Sequence, residues 1–303
     1  MTLEATFTGI MPAMTTPFHR DGTVDHDSLA EHCRWLVDNG STSLVPLGSL
    51  GEGATLSHEE KRAVLATCVR AAGTRAPIVA AVSGLATAEA VQLAKDAQRI
   101  GCRGLMVLPP YVYSTDWREM KAHVAAVIGA TDLPSMLYNN PIAYKTDFTP
   151  REVAELAREF AQLRAIKESS ADVRRVTALR ALLDDRLQIA VGVDDVIVEG
   201  IEAGATGWVA GLVNAFPAET VALFRHAAEG RKKEARALYR WFLPLLRMDT
   251  VPKFVQLIKL AQEKVGRGSA RVRPPRLPLE GDELAEAIAT LERALETRPG
   301  RAS

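Results

Sequence analysis

The chain of 303 residues has few cysteines, no long apolar run and no net charge. Its three cysteines, Cys33, Cys68 and Cys102, fall in helical-looking stretches and form neither a CxxC pair nor a cluster with histidine. They read as small reduced core residues. The six histidines are scattered and never take the HExxH spacing, which argues against a zinc site built from protein side chains. Lysine plus arginine number 37, as do aspartate plus glutamate, so the chain shows no electrostatic footprint for nucleic acid or an anionic membrane. No apolar stretch approaches the roughly 18 residues of a membrane span. The opening Met1-Thr2-Leu3-Glu4 lacks the basic and apolar regions of a signal peptide, so the expected location is cytoplasmic.

What is present is ordinary globular composition, 47% apolar and 24% charged, which excludes bulk disorder. Short β-rich runs begin near Gly9, Ser43, Ile78, Leu105, Ser135, Arg164, Gln188 and Gly207, with a helix-length pattern in each gap. Several runs are continuously apolar, as parallel strands covered on both faces should be. Ser57-His58-Glu59-Glu60 and Thr149-Pro150-Arg151-Glu152 are capping boxes, the second with proline at the first helical position. Gly40, Gly101, Gly204 and Gly230 stand where helices should stop.

Eight βα units with no dividing linker point to one closed (β/α)₈ TIM barrel, an α/β fold, over residues 1–225. A doubly wound sheet is the rival, but no GxGxxG follows the first strand. Residues 226–303 are expected to form a C-terminal helical extension packed on the barrel, ending in an amphipathic stretch over 280–296. The Arg271–Arg276 segment between its helices reads as a solvated connector.

Catalytic side chains of such a barrel belong at the carboxyl ends of the strands. Lys167 ends one apolar run, and a lysine in dry surroundings can offer a free amine to attack a carbonyl. Tyr138 ends the run one unit earlier, where its phenol can relay protons during carbinolamine formation. The third place is the loop Gly48-Ser49-Leu50-Gly51-Glu52-Gly53. Its glycines let amide N–H groups converge on a small anion, and Ser49 adds a hydroxyl. The loop lacks the GK[ST] ending of a phosphate-binding P-loop, so a carboxylate is the expected ligand.

These motifs, with Tyr138-Asn139-Asn140-Pro141, Ile166-Lys167-Glu168, Gly192-Val193-Asp194-Asp195 and Gly204-Ala205-Thr206-Gly207 following in order, resemble the dihydrodipicolinate synthase / N-acetylneuraminate lyase family of class I Schiff-base enzymes. The resemblance covers about residues 7 to 295. It implies that Lys167 forms an imine with a small 2-oxo acid or accepts a cyclic imine carboxylate, with Tyr138 as proton shuttle. It implies substrate contacts at Ser49, Leu50 and Val209, no metal or separate cofactor beside the covalent lysine imine, and a homotetramer built as a dimer of dimers.

Departures from the synthase pattern narrow the expectation. Leu50 stands where synthases of this family have a threonine, Val112 where they have a relay tyrosine, and Ala143 where they have an arginine for the second substrate. Lys145 and Tyr113 are the nearby groups that a shifted geometry could recruit. The motifs Tyr138–Pro141, Lys167–Ser170 with Asp172–Arg175, Leu212–Pro217 and Tyr239–Phe242 are similar to those of the Δ1-pyrroline-4-hydroxy-2-carboxylate deaminases of hydroxyproline catabolism. The leading expectation is therefore a lyase that deaminates that ring imine to 2-oxoglutarate semialdehyde and ammonia. Its rivals are 4-hydroxy-tetrahydrodipicolinate synthase, which condenses pyruvate with aspartate semialdehyde, and a 2-keto-3-deoxy sugar acid dehydratase or aldolase. A catalytically silent binding protein would have no need of Lys167.

Overall fold

A computed structural model describes residues 6–110 and 116–299 of the chain. Seven parallel strands form its sheet: β1 (Gly9–Pro12), β2 (Val79–Val82), β3 (Gly104–Val107), β4 (Ser135–Asn139), β5 (Leu163–Glu168), β6 (Gln188–Val191) and β7 (Gly207–Ala210). Their order, β1-β7-β6-β5-β4-β3-β2, runs in one sense with no reversal, which rules out the doubly wound rival. Residues of β2, β3 and β4 are buried throughout, as the apolar runs of β2 and β3 and the Met136–Tyr138 centre of β4 require.

The expected strand at Ser43-Leu44-Val45 is reduced to two parallel bridges, Val45 to Ala13 and Leu44 to Ile78. Val45 N–H donates to Pro12 O at 2.9 Å on one side, and Val79 N–H to Leu44 O at 2.8 Å on the other, so this segment closes the barrel between β1 and β2. A regular ladder stops there because Pro46 and Pro77 carry no N–H and Leu47 turns away with φ 70°.

The barrel helices are α1 (His26–Asp38), α2 (His58–Ala72), α3 (Thr87–Ile100), α4 (Trp117–Ile128), α6 (Pro150–Glu159), α7 (Arg174–Leu183), α8 (Ile197–Glu202) and α9 (Pro217–Ala228), with the short α5 (Pro141–Tyr144) between β4 and α6. Both capping boxes form: Ser57 N–H reaches Glu60 at 2.8 Å, and Thr149 N–H reaches Glu152 at 2.7 Å. α3 stops at Gly101, whose φ of 103° lets its N–H close back on Ala97 and Gln98. The three cysteines are buried and free.

The extension consists of α10 (Lys232–Leu246), α11 (Phe254–Lys264) and α12 (Gly281–Glu296); the expected division at 225/226 falls within α9. Phe242 of α10 packs edge-on to Phe216 at 6.0 Å between centroids, joining the extension to the barrel's apolar core. The Arg271–Arg276 segment connects α11 to α12 with Arg271, Pro274 and Pro275 exposed, as expected, but it is also anchored. Arg273 donates to Glu60 at 2.8 Å and to Thr55 O at 3.0 Å, and Arg271 to Phe18 O at 2.8 Å, so these arginines strap the segment over the barrel loops. Among the described residues no helix is long and apolar enough to cross a membrane.

Candidate active site

β5 reads Leu-Arg-Ala-Ile-Lys-Glu, and alternation puts Lys167 on the face of Leu163 and Ala165. Register pairs Lys167 with Tyr138 and Glu168 with Asn139 across β4 and β5. Both side chains are withdrawn from water, Lys167 at 7% exposure and Tyr138 at 4%. The Lys167 Nζ stands 4.3 Å above the Tyr138 ring centroid, close enough for the ring's negative face to hold the ammonium. Asn140 Nδ2 donates to the Tyr138 hydroxyl at 2.9 Å and so uses its acceptor capacity, leaving the phenol proton to be given elsewhere.

Gly192, just past β6, makes room for this lysine. A Cβ there would stand 2.5 Å from Lys167 Cε and 2.0 Å from Ser169 Oγ. Two residues on, Asp194 is fully buried and accepts from Trp208 Nε1 at 2.8 Å, Leu212 N at 2.9 Å and Gly211 N at 3.2 Å. Burial nevertheless raises its carboxyl to about 6, against those donors and the Lys167 charge. Asp249 lays its carboxyl on Gly211, where a Cβ would meet Oδ1 at 2.1 Å. Burial first, and then the Asp194 charge, push Asp249 well above the usual carboxylate range, while the Lys167 charge opposes that shift. Two carboxyls from β-strand ends and extension thus share the lysine's field.

The glycine loop is shaped by its own backbone. Glu52 has φ 54°, and a Cβ at Gly53 would collide with Leu47 O at 2.0 Å. Thr16 Oγ1 donates to Gly51 O at 2.6 Å. Of the amides expected to face an anion, Glu52 N–H is committed to Ser49 O and Gly53 N–H to Gly48 O. The N–H groups of Ser49 and Leu50 donate to no backbone acceptor among the described residues. The Leu50 side chain lies in the core, as does Val209 on β7, whose register partner is Met11. Ser49 reaches the site through its hydroxyl, which shares a short hydrogen bond with the Tyr144 hydroxyl. Tyr144 in turn sets its ring edge-to-face on Tyr138, 5.7 Å between centroids.

The sequence reading missed Tyr144 and the frame behind the strand ends. Tyr144 follows the Tyr138–Pro141 motif within one helical turn, and that proximity was its only signal. Asn139 donates to Glu168 at 3.1 Å and to Asp147 at 3.2 Å, and Arg175 grips Asp147 through two bonds of 2.6 and 2.7 Å. Other residues singled out by the sequence do not join the site. Ala143 and Lys145 are exposed, and Lys145 Nζ donates to Ile142 O at 3.0 Å. Arg174 pairs with Asp172 at the surface, Tyr239 donates to Asp195 O, and Trp241 stacks on Phe242. Val112 and Tyr113 lie outside the described residues.

A parallel α/β barrel with a lysine and a phenol paired at adjacent strand ends defines a class I, lysine Schiff-base enzyme. The chain belongs to the dihydrodipicolinate synthetase family, whose model matches residues 6–294. It is 31% identical over 290 residues to the 4-hydroxy-tetrahydrodipicolinate synthase of Haloarcula marismortui, covering 94% of each chain. It superposes with a TM-score of 0.91 on the 4-hydroxy-tetrahydrodipicolinate synthase of Methylacidiphilum fumariolicum SolV, 30% identical, covering 95% of this chain and 96% of that one. With YagE, a prophage protein of the dihydrodipicolinic acid synthase family from E. coli K12 solved in complex with pyruvate, the TM-score is 0.90 at 27% identity, covering 95% of this chain and 99% of that one.

Proposed function

We propose that this enzyme forms an imine between Lys167 and a small 2-oxo acid or its cyclic imine. The observation that carries the reading is the register pair of Tyr138 and Lys167, with Nζ 4.3 Å over the ring. Lys167 attacks C2, Tyr138 moves the protons, and the hydroxyl of Ser49 with the amides of Ser49 and Leu50 takes the carboxylate. Val209 closes the apolar side. The iminium is itself the electron sink, so the chemistry calls on no separate cofactor. The pyruvate complex of the E. coli relative supports a 2-oxo acid as the substrate class.

Within that class, the site's own residues favour deamination of Δ1-pyrroline-4-hydroxy-2-carboxylate. An exposed Ala143 offers no cation to a second substrate's carboxylate, and Lys145 is turned onto the Ile142 carbonyl. In this reaction Lys167 adds to C2, and the ring nitrogen takes a proton and leaves as the C5 amine. Loss of a C3 proton gives the enamine, which expels the 4-hydroxyl with a proton as water. The double bond then migrates to make a C5 imine. Two waters hydrolyse the two C=N bonds, releasing ammonia, 2-oxoglutarate semialdehyde and free Lys167.

The relatives favour a second reading, condensation of pyruvate with aspartate semialdehyde, because those at about 30% identity carry the synthase name. Borohydride reduction in the presence of pyruvate tests the shared step: a stable mass should appear on Lys167 and vanish in Lys167→Ala. Ammonia release from the pyrroline, run beside the condensation assay, separates the two reactions. Condensation without ammonia release would establish the second.

A further inference from the structure

Deamination of a ring imine needs one proton that Tyr138 is badly placed to give. Once Lys167 has added to C2, that carbon carries two nitrogens. The ring nitrogen leaves only after protonation, because an amide anion is too basic to be expelled. From C2 the ring nitrogen extends to one side and the C3–C4 edge to the other. Tyr138 stands on the β4 side of Lys167, its hydroxyl held by Asn140. A second acid is needed on the opposite flank.

That flank, beyond β6 and β7, holds two carboxyls in different states. Asp194 is already committed to Trp208 Nε1 and to the N–H groups of Gly211 and Leu212. Asp249, in the turn that joins α10 to α11, has no hydrogen-bond or ion-pair partner among the described residues. It is partly buried and seated on Gly211, just past β7, where a Cβ would meet its Oδ1 at 2.1 Å and its Cγ at 2.6 Å. The Lys167 charge acts on Asp249, yet the two form no ion pair, so they lie near each other without closing. Burial and the Asp194 charge favour the protonated form of this carboxyl, against that lysine.

We propose that Asp249 is the acid that protonates the departing ring nitrogen, so that it selects cyclic imines over open-chain 2-oxo acids. The inference rests on the deamination reading above. In the step, the Asp249 proton passes to the ring nitrogen and the C2–N bond breaks. The Nζ lone pair makes C2=Nζ, the nitrogen becomes the C5 amine, and Asp249 is left as a carboxylate facing the iminium. When water later hydrolyses that iminium, the proton released restores the acid. Tyr138 is left with the proton at C3 and the 4-hydroxyl.

Asp249→Asn tests it, because the amide keeps the shape on Gly211 and removes the acid. The probe is Δ1-pyrroline-2-carboxylate, which lacks the 4-hydroxyl and stops at the ring-opened imine. Borohydride trapping in single turnovers gives the rate of the Lys167 adduct, with pyruvate run beside it. The ratio of the pyrroline rate to the pyruvate rate should fall about a hundredfold in Asp249→Asn, the scale of one acid–base group. A ratio within about threefold of wild type, whether both rates hold or both fall together, would overturn the role of Asp249. A wild type that traps pyruvate but not the pyrroline would overturn the deamination reading, and the inference with it. A wild type that traps neither would overturn the lysine imine itself.

Discussion

Lys259 on α11 places its ammonium 2.5 Å from the Glu52 carboxylate of the glycine loop, with both side chains sealed from solvent. The second carboxylate oxygen accepts from Arg273 N at 2.9 Å, and Lys259 also donates to Arg271 O at 2.8 Å. Phe18 lies beneath the ammonium at 4.4 Å. Burial pulls Lys259 down to about 8 against the opposing pull of Glu52. The C-terminal extension is thus tied to the glycine loop that carries Ser49 and Leu50.

Breaking one side of this buried pair leaves an uncompensated charge, which costs about 3–5 kcal/mol. Lys259→Met should lower stability by that order in urea unfolding and raise KM for the 2-oxo acid. Adding Glu52→Gln removes the stranded charge while keeping an acceptor for Arg273 N, and should recover part of the loss. A double variant less stable than Lys259→Met would contradict the pairing.

Gly192→Ala should disable the site without unfolding the barrel. The new methyl meets the Lys167 side chain at 2.5 Å and Ser169 Oγ at 2.0 Å, so the lysine must swing off its position above Tyr138. The expected loss of borohydride-trapped adduct is about tenfold or more, given how steeply rates depend on placement. Mass spectrometry of the reduced enzyme measures it, and an undiminished adduct would show that Lys167 tolerates displacement.

Tyr138→Phe should lower kcat by about 10²–10⁴-fold, the range of one general acid–base group. The ring under Nζ survives, so thermal unfolding should change little. A kcat close to wild type would move the proton transfer to another group.

Acid should destabilise the fold through His32. Its Nε2 contacts Asn214 Oδ1 at 2.8 Å, and burial lowers the ring to about 4 in spite of that bond. The unfolded chain takes up its proton near pH 6.5 while the folded chain does not. Stability from this group is therefore complete above about pH 6.5 and is lost on acidification toward pH 4, an effect of about 3 kcal/mol in all. Urea titrations at pH 7 and pH 5 should differ less in His32→Gln, and an equal difference would assign the acid sensitivity elsewhere.

Local chemistry made much of the barrel legible. Ser57 and Thr149 cap their helices with partners three residues away, and the apolar runs of β2 and β3 need burial on both faces whatever surrounds them. The eighth run was legible as apolar chain, but its reduction to bridges depended on where Pro46 and Pro77 met their neighbours. The arginine segment was legible as solvated chain but not as an anchor, because its partners Glu60 and Phe18 O lie more than two hundred residues away.

By itself the sequence determined the strand and helix alternation and put Lys167 and Tyr138 at strand ends, since both follow from short-range periodicity. Only the tertiary structure decided that Nζ sits over that ring, that Tyr144 joins Ser49, that Gly192 leaves room for the lysine, and that Lys259 holds Glu52. Those relationships join residues on different elements, with no periodic signature along the chain. They exist only once the barrel closes and the last helices fold back over it.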